Sequence, residues 1–327
     1  MNLRLTLNEL ADAHGLAAAE RSRLHDLAGL HDEPSLLARW LPRGLAVLAA
    51  ALVGFGVVMW IAANWDTLGR FGRFALLMAF VGAMGVGAAA RPALRAPLGL
   101  LALLGIGALF AYFGQTYQTG ADPWQLFALW ALLALPLCLG ARSDVLWAPW
   151  ALVVMTAISL WTHAHLGHRW RVEPEDLGTH LLAWLAAAAL VGGLSRAAQR
   201  FTGAGVWALR TAATLAVVVT TAAALGGLFH SPVAPHYLLG LLLLAGAAAL
   251  LCTRQAFDVF ALSAVALGLN TLLTVGLTRL LFDGAWNGEA VFFLMLIGLV
   301  AAGLLAGSVS VILRLSKRDA ALKGEHE

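Results

Sequence analysis

Seven residues in two short turns have the chemistry to hold a polar group in an otherwise apolar chain. The first turn, within IAANWDTLGRFGRF, supplies Asn64, Asp66, Arg70 and Arg73. The second, within FAYFGQTYQTGADPWQLF, supplies Gln115, Tyr117 and Asp122. Guanidiniums, carboxylates, amides and a phenol together suit an oriented polar ligand or lipid headgroup. The carboxylates of Asp66 and Asp122 would compensate Arg70 and Arg73 where these are drawn out of water. A structural network sealing the end of a helical bundle would use the same residues. Ordinary turn chemistry explains only part of the set. Asp122-Pro123 fits a helix start with proline in the first turn, and Trp65 and Trp124 fit anchoring at a membrane interface. Neither accounts for Gln115, Thr116 and Tyr117 at the end of the preceding helix.

Further polar groups fall at helical spacing inside apolar runs. Thr211, Thr214 and Thr221 share one face, and Ser263, Asn270, Thr274 and Thr278 share another. Such hydroxyls and amides either bond to neighbouring backbones, as in packed membrane helices, or line a polar cavity. Six histidines, His163, His165, His168, His180, His230 and His236, gather at the same side of the chain's turns. Solvated loop imidazoles, a pH sensor or a metal site are the options, and no cysteine or fixed ligand spacing supports a metal. The chain carries no P-loop, HExxH or GxSxG motif, so nothing points to a catalytic residue, a metal or a cofactor. No carboxylate and no lysine lies in mid-helix, which counts against a proton-driven carrier.

The elements that position these groups are membrane helices. Of the 327 residues, 61% are hydrophobic and 12% charged, and the mean hydropathy is +0.81. A soluble domain is about 25% charged, so lipid must solvate much of this chain. A spanning helix needs about 20 apolar residues. That ruler predicts about ten spans, near 44–63, 73–90, 97–114, 124–141, 145–163, 178–195, 206–228, 235–252, 257–280 and 290–313. The expected fold class is all-α, a polytopic helical bundle. Its expected parts are a cytoplasmic helical appendage over 1–40, the bundle over 41–315 and a polar tail over 316–327. The first apolar run follows a long polar stretch, so it reads as a retained signal anchor.

Loop charges set the expected orientation. Arg39, Arg43, Arg91, Arg95, Arg142, Arg196, Arg200, Arg210, Arg254 and Arg314 fall on one side, which places both termini in the cytoplasm and the two polar turns outside. In the appendage, LTLNELADAHGL stops at Gly15, a plausible C′ residue. Its layout resembles half of a helix-turn-helix, but Glu20 and Asp26 balance Arg21 and Arg23, so no nucleic acid is expected as a partner. Cys138 and Cys252 lie far apart in apolar runs and read as buried inert thiols. No internal repeat is evident.

IAANWD followed by FGQTYQTGADPWQLFALWALLALPL, with the lead-in NELADAHGLAAAERSRL, resembles a bacterial family of predicted membrane proteins, domain of unknown function family 2157. The likeness covers about the first 140 residues and rests mostly on Gly114, Gln115, Tyr117, Asp122 and Trp124. It implies a multi-span protein of the bacterial inner membrane and carries no reaction and no catalytic residues. The leading expectation is a protein that binds or passes a small molecule or lipid through an outward polar pocket. The alternatives are a structural or regulatory subunit of a membrane complex and a membrane-embedded transferase. The expected partners are membrane lipids, and another multi-span protein or further copies of this chain.

Overall fold

The computed structural model describes residues 3–28, 35–64, 67, 69–117, 120–253, 255–282 and 290–324. Thirteen α-helices, and no strands, occur among them. Two short helices, α1 (Leu3–Ala13) and α2 (Ala18–Leu27), pack on each other. Gly15 between them adopts the left-handed conformation, φ 62°, and Arg21 bonds Asp12 at 2.8 Å. The long helices follow: α3 (Ser35–Ala63), α4 (Arg70–Ala90), α5 (Arg95–Tyr117), α6 (Pro123–Ala141), α7 (Asp144–His165) and α8 (Leu177–Gly193). After the short α9 (Gln199–Thr202) come α10 (Val206–Leu228), α11 (Pro235–Leu251), α12 (Val259–Phe282) and α13 (Ala290–Gly324).

Each apolar run becomes one helix because lipid leaves the backbone no other hydrogen-bonding partner. Among the described residues, nine helices are long and apolar enough to cross a membrane. The protein is a polytopic helical membrane protein. The remaining run, α11, has 17 residues, about 26 Å at 1.5 Å per residue. Helix starts carry the expected chemistry: proline opens α6 and α11, and the Ser143 side chain caps α7 by accepting from the Val145 amide.

Two helices organise the packing. In the first half α5 touches α3, α4, α6 and α7; in the second α10 touches α7, α8, α11 and α12. The main core lies where these halves meet and includes Leu103, Leu146, Trp147, Ala151, Ala208 and Ala212. Gly107 lets the ring of Trp130 lie against α5, where a Cβ would collide with it, and Trp130 Nε1 donates to the Leu103 carbonyl at 2.9 Å. Cys138 is buried as expected, whereas Cys252 is exposed at the end of α11, because the helix stops one residue before it.

One end of the bundle is tied by Asp144. Its carboxylate accepts from the Gly205, Trp207 and Ala208 amides at 2.7, 3.0 and 3.3 Å, and so caps α10 from another helix. Gly205 is required there, since a Cβ would strike that carboxylate. Trp147 Nε1 donates to the Thr202 carbonyl at 3.1 Å and Arg142 to the Arg200 carbonyl at 2.8 Å.

Candidate functional site

The two polar turns predicted to converge stand as follows. Asn64 follows α3, and its side-chain amide donates back to the Trp60 carbonyl at 2.9 Å. Asp66 lies outside the described residues. Arg70 opens α4 with its guanidinium 5.0 Å from the Phe71 ring and 5.7 Å from the Tyr117 ring. Arg73, one turn on, lies 6.0 Å from the ring of Tyr112. Tyr112 is buried and donates to the Arg70 carbonyl at 3.4 Å. Phe74 packs between Tyr112 and Tyr117, at 4.6 and 5.8 Å. Arg70, Arg73 and Tyr117 are therefore gathered around an aromatic cluster shared by α4 and α5, where ring faces meet the guanidiniums. Gln115 is exposed at the end of α5. Asp122 turns towards the segment after α7, where its carboxylate meets His168 Nε2 at 3.2 Å.

The polar stripes bond mostly to their own helices. Thr211, Thr214 and Thr278 donate to the carbonyls of Trp207, Arg210 and Thr274 at 2.9, 2.8 and 2.8 Å. Asn270 instead bridges two helices: its side chain and Ser308 of α13 exchange hydrogen bonds at 3.1 and 3.3 Å.

The roomy space lies elsewhere. An apolar cleft of about 500 Å³ is bounded by α8, α10, α11 and α12. Leu209, Ala216, Val217 and Thr220 of α10 form its floor, with Ala188 and Val191 of α8 on one side and Leu244 and Ala247 of α11 on the other. Small side chains on all three helices keep it open. Ser195, Arg196 and Gln255 stand at its polar end. Beside that end is an ion pair that sequence reasoning missed. Arg210 Nε reaches both Asp258 oxygens, at 3.3 and 3.4 Å, and its terminal nitrogen reaches Oδ2 at 3.1 Å. The Asp258 side chain is 4% exposed and that of Arg210 26%. Asp258 also caps α12 by accepting from the Ala261 amide at 2.9 Å. Burial opposes ionisation of Asp258. The hydrogen bonds from Arg210 and Ala261, with the charges of Arg210 and Arg196, outweigh it and hold the carboxyl below its ordinary value. The available signal was Arg210 itself: a cation one turn inside an apolar run needs a partner.

A second, smaller cavity of about 160 Å³ lies between α7, α8 and α10. Ser159, Thr162, His163 and His180 line it, and Trp184 lines both cavities. Two histidines depart from the solvated-loop expectation. His180 is 6% and His236 0% exposed, with their rings 4.8 Å apart and nearly perpendicular. Each sits in the first turn of its helix, and that turn faces inward. His180 Nδ1 bonds the Asp176 carbonyl at 3.1 Å. Neither ring nitrogen of His236 has a hydrogen-bond partner among the described residues. Of the remaining four, His168 meets Asp122 in an exposed pairing and half-buried His230 meets Glu173 at 3.1 Å. No group of three His, Cys, Asp or Glu side chains among the described residues is placed to hold a metal ion.

Residues 8–147 match the model of the family described as Predicted membrane protein (DUF2157), which agrees with the resemblance carried by the two turns. That stretch runs from α1 to the start of α7 and ends before the cleft. No curated protein matches the chain, and no solved structure does.

Proposed function

We propose that this membrane protein binds an amphiphilic small molecule or lipid inside the bilayer, in the cleft between α8 and α11. One observation carries the reading: about 500 Å³ of largely apolar space among the apolar helices, with Ser195, Arg196 and Gln255 at one end. Binding sites for small ligands fall in the range of about 300–1,000 Å³ and combine apolar walls with a few placed polar groups. The floor from Leu209 to Thr220 runs about 16 Å along α10, close to half of the roughly 30 Å hydrocarbon core. A cleft of that depth suits a molecule resident in one leaflet. The seven residues of the two turns remain a proposed second polar site at the other end. There Arg70, Arg73 and Tyr117 would offer cations and a phenol to a headgroup or outer-face ligand. The charge asymmetry of the turns supports a bacterial inner-membrane location with both termini cytoplasmic, which puts the Arg196 end of the cleft at the cytoplasmic leaflet.

The test is chemical. The protein purified in mild detergent is extracted, and the extract analysed by mass spectrometry. The wild type should retain a stoichiometric amphiphile that is lost in Ala247→Phe and in Ala188→Phe, which fill the cleft from opposite walls. Equal retention in all three folded proteins refutes the reading.

A second reading, a structural or regulatory subunit of a membrane complex or a homo-oligomer, is favoured by α13. This helix of 35 residues packs chiefly on α12, and none of its apolar window is buried. Cysteine crosslinking from Leu299, 72% exposed, tests it: a crosslinked partner or dimer in native membranes supports the reading, and monomer alone refutes it.

A further inference from the structure

The proposed cleft has an unbalanced charge at its polar end. Among the described residues, Arg196 lines that end and the Arg210–Asp258 pair stands beside it. Asp258 is held by Arg210 and the Ala261 amide, and the charge of Arg196 also acts on it. Arg196 and Arg210 therefore face one carboxylate, and their combined charge exceeds it by one. Arg196 is exposed and lines the cleft, while the lining behind it as far as Trp184 is apolar apart from Thr220.

The complement of that arrangement is a molecule with one negative head and an apolar tail. A neutral apolar molecule leaves Arg196 without a counter-charge. A zwitterionic head brings an ammonium group into a region that already holds excess cations. A cationic amphiphile is repelled. Arg196 offers a planar donor fork that matches a phosphate oxygen pair, and the exposed Gln255 amide adds a neutral donor beside it. We infer that the cleft takes an anionic phospholipid, with its phosphate at Arg196 and an acyl chain lying along α10 towards Trp184. This assignment rests on the reading of the cleft as an amphiphile site and adds the sign and chemistry of the head.

The experiment separates the two. Purified protein, stripped of lipid, is titrated with dioleoyl phosphatidylglycerol or dioleoyl phosphatidylcholine, and bound lipid is counted by native mass spectrometry. The wild type should prefer phosphatidylglycerol about tenfold, the scale of one charge-assisted contact. Arg196→Gln should abolish the preference while still binding both lipids, and Arg196→Lys should keep part of it. Ala247→Phe and Ala188→Phe should lose the first bound lipid of either type. Millimolar inorganic phosphate should leave lipid binding unchanged; displacement would show that the head site binds free anions rather than lipid, and would overturn the inference. Equal binding of the two lipids by the wild type, or a preference that survives Arg196→Gln, also overturns the anionic head but leaves the cleft as a site. Lipid binding untouched by both filling variants overturns the cleft itself, and the inference with it.

Discussion

The Arg210–Asp258 pair fixes the geometry of the cleft's polar end, and its removal has a calculable cost. Breaking a buried pair by deleting one partner costs about 3–5 kcal/mol, because the other charge is left in low dielectric. Arg210 is 26% exposed and lies 5.2 and 5.4 Å from the Trp207 and Phe260 rings, so the low end applies, about 3 kcal/mol. Asp258→Ala also removes the cap on the Ala261 amide, worth about 1 kcal/mol, for a total near 4 kcal/mol. Asp258→Asn keeps an acceptor for that amide and should cost about 2–3 kcal/mol. At roughly 2 °C per kcal/mol for a large chain, the two variants should melt about 8 °C and 5 °C below the wild type in detergent. The double variant Arg210→Met with Asp258→Asn removes both charges and should recover part of the loss. The pH dependence has a definite sign. Asp258 has a depressed pKa in the folded state, so its contribution is present above the unfolded carboxyl value of about 3.9. It fades as pH falls through the lower folded value. Thermal melting from pH 7 to pH 3 should therefore lose a component in the wild type that Asp258→Asn lacks. Asp258→Asn melting with the wild type across that range would refute the argument.

Three further outcomes follow from the same geometry. Asp144→Ala strips three amides of their acceptor and should lower stability by about 1–2 kcal/mol, with faster hydrogen exchange confined to the start of α10; exchange unchanged at Gly205–Ala208 would count against the cap. His236→Phe replaces a buried imidazole with two unpaired nitrogens by an apolar ring, and should leave melting unchanged or raise it, since an unpaired buried polar group costs about 1–3 kcal/mol. A loss beyond about 1.5 kcal/mol would mean that the imidazole is bonded to a molecule in the bundle. Deleting residues 1–34 should leave a monodisperse protein of unchanged melting temperature, because α1 and α2 pack chiefly on each other; aggregation on deletion would show that they are integral to the bundle.

The long helices were legible because lipid imposes one rule on every span: enough apolar length, with the backbone satisfied inside the helix. The Asp122-Pro123 helix start and the turn at Gly15 were equally readable, since each depends on neighbours in sequence. The cleft was not legible. It exists because small residues on three helices, Ala188, Ala216 and Ala247, face one space, and single-chain periodicity does not show which helices adjoin. The inward position of His236 was hidden for a related reason. A histidine one residue into a helix, next to a turn, looks like a surface residue until the neighbouring helix covers it. The ring contacts of the α4 cations were not legible either: Arg70 and Arg73 suggested carboxylates, of which Asp66 lies outside the described residues, and the fold adds the rings of Tyr117 and Tyr112 beside them.

The two ends of the bundle therefore solve the same problem by different means, and the difference bears on binding. At the α4–α5 end the guanidiniums of Arg70 and Arg73 stand over the rings of Tyr117 and Tyr112, where the ring face attracts a cation. At the α10–α12 end the Asp258 carboxylate pairs with Arg210, and the cleft opens beside Arg196. Trp184 closes that cleft at its far end and also walls the smaller cavity near His180, so one indole ring separates two spaces that enter the bundle from opposite ends. On the proposed reading, an acyl chain entering from the Arg196 end would stop at that ring, short of the buried imidazoles beyond, and the cleft would hold a molecule in one leaflet rather than pass it across the membrane.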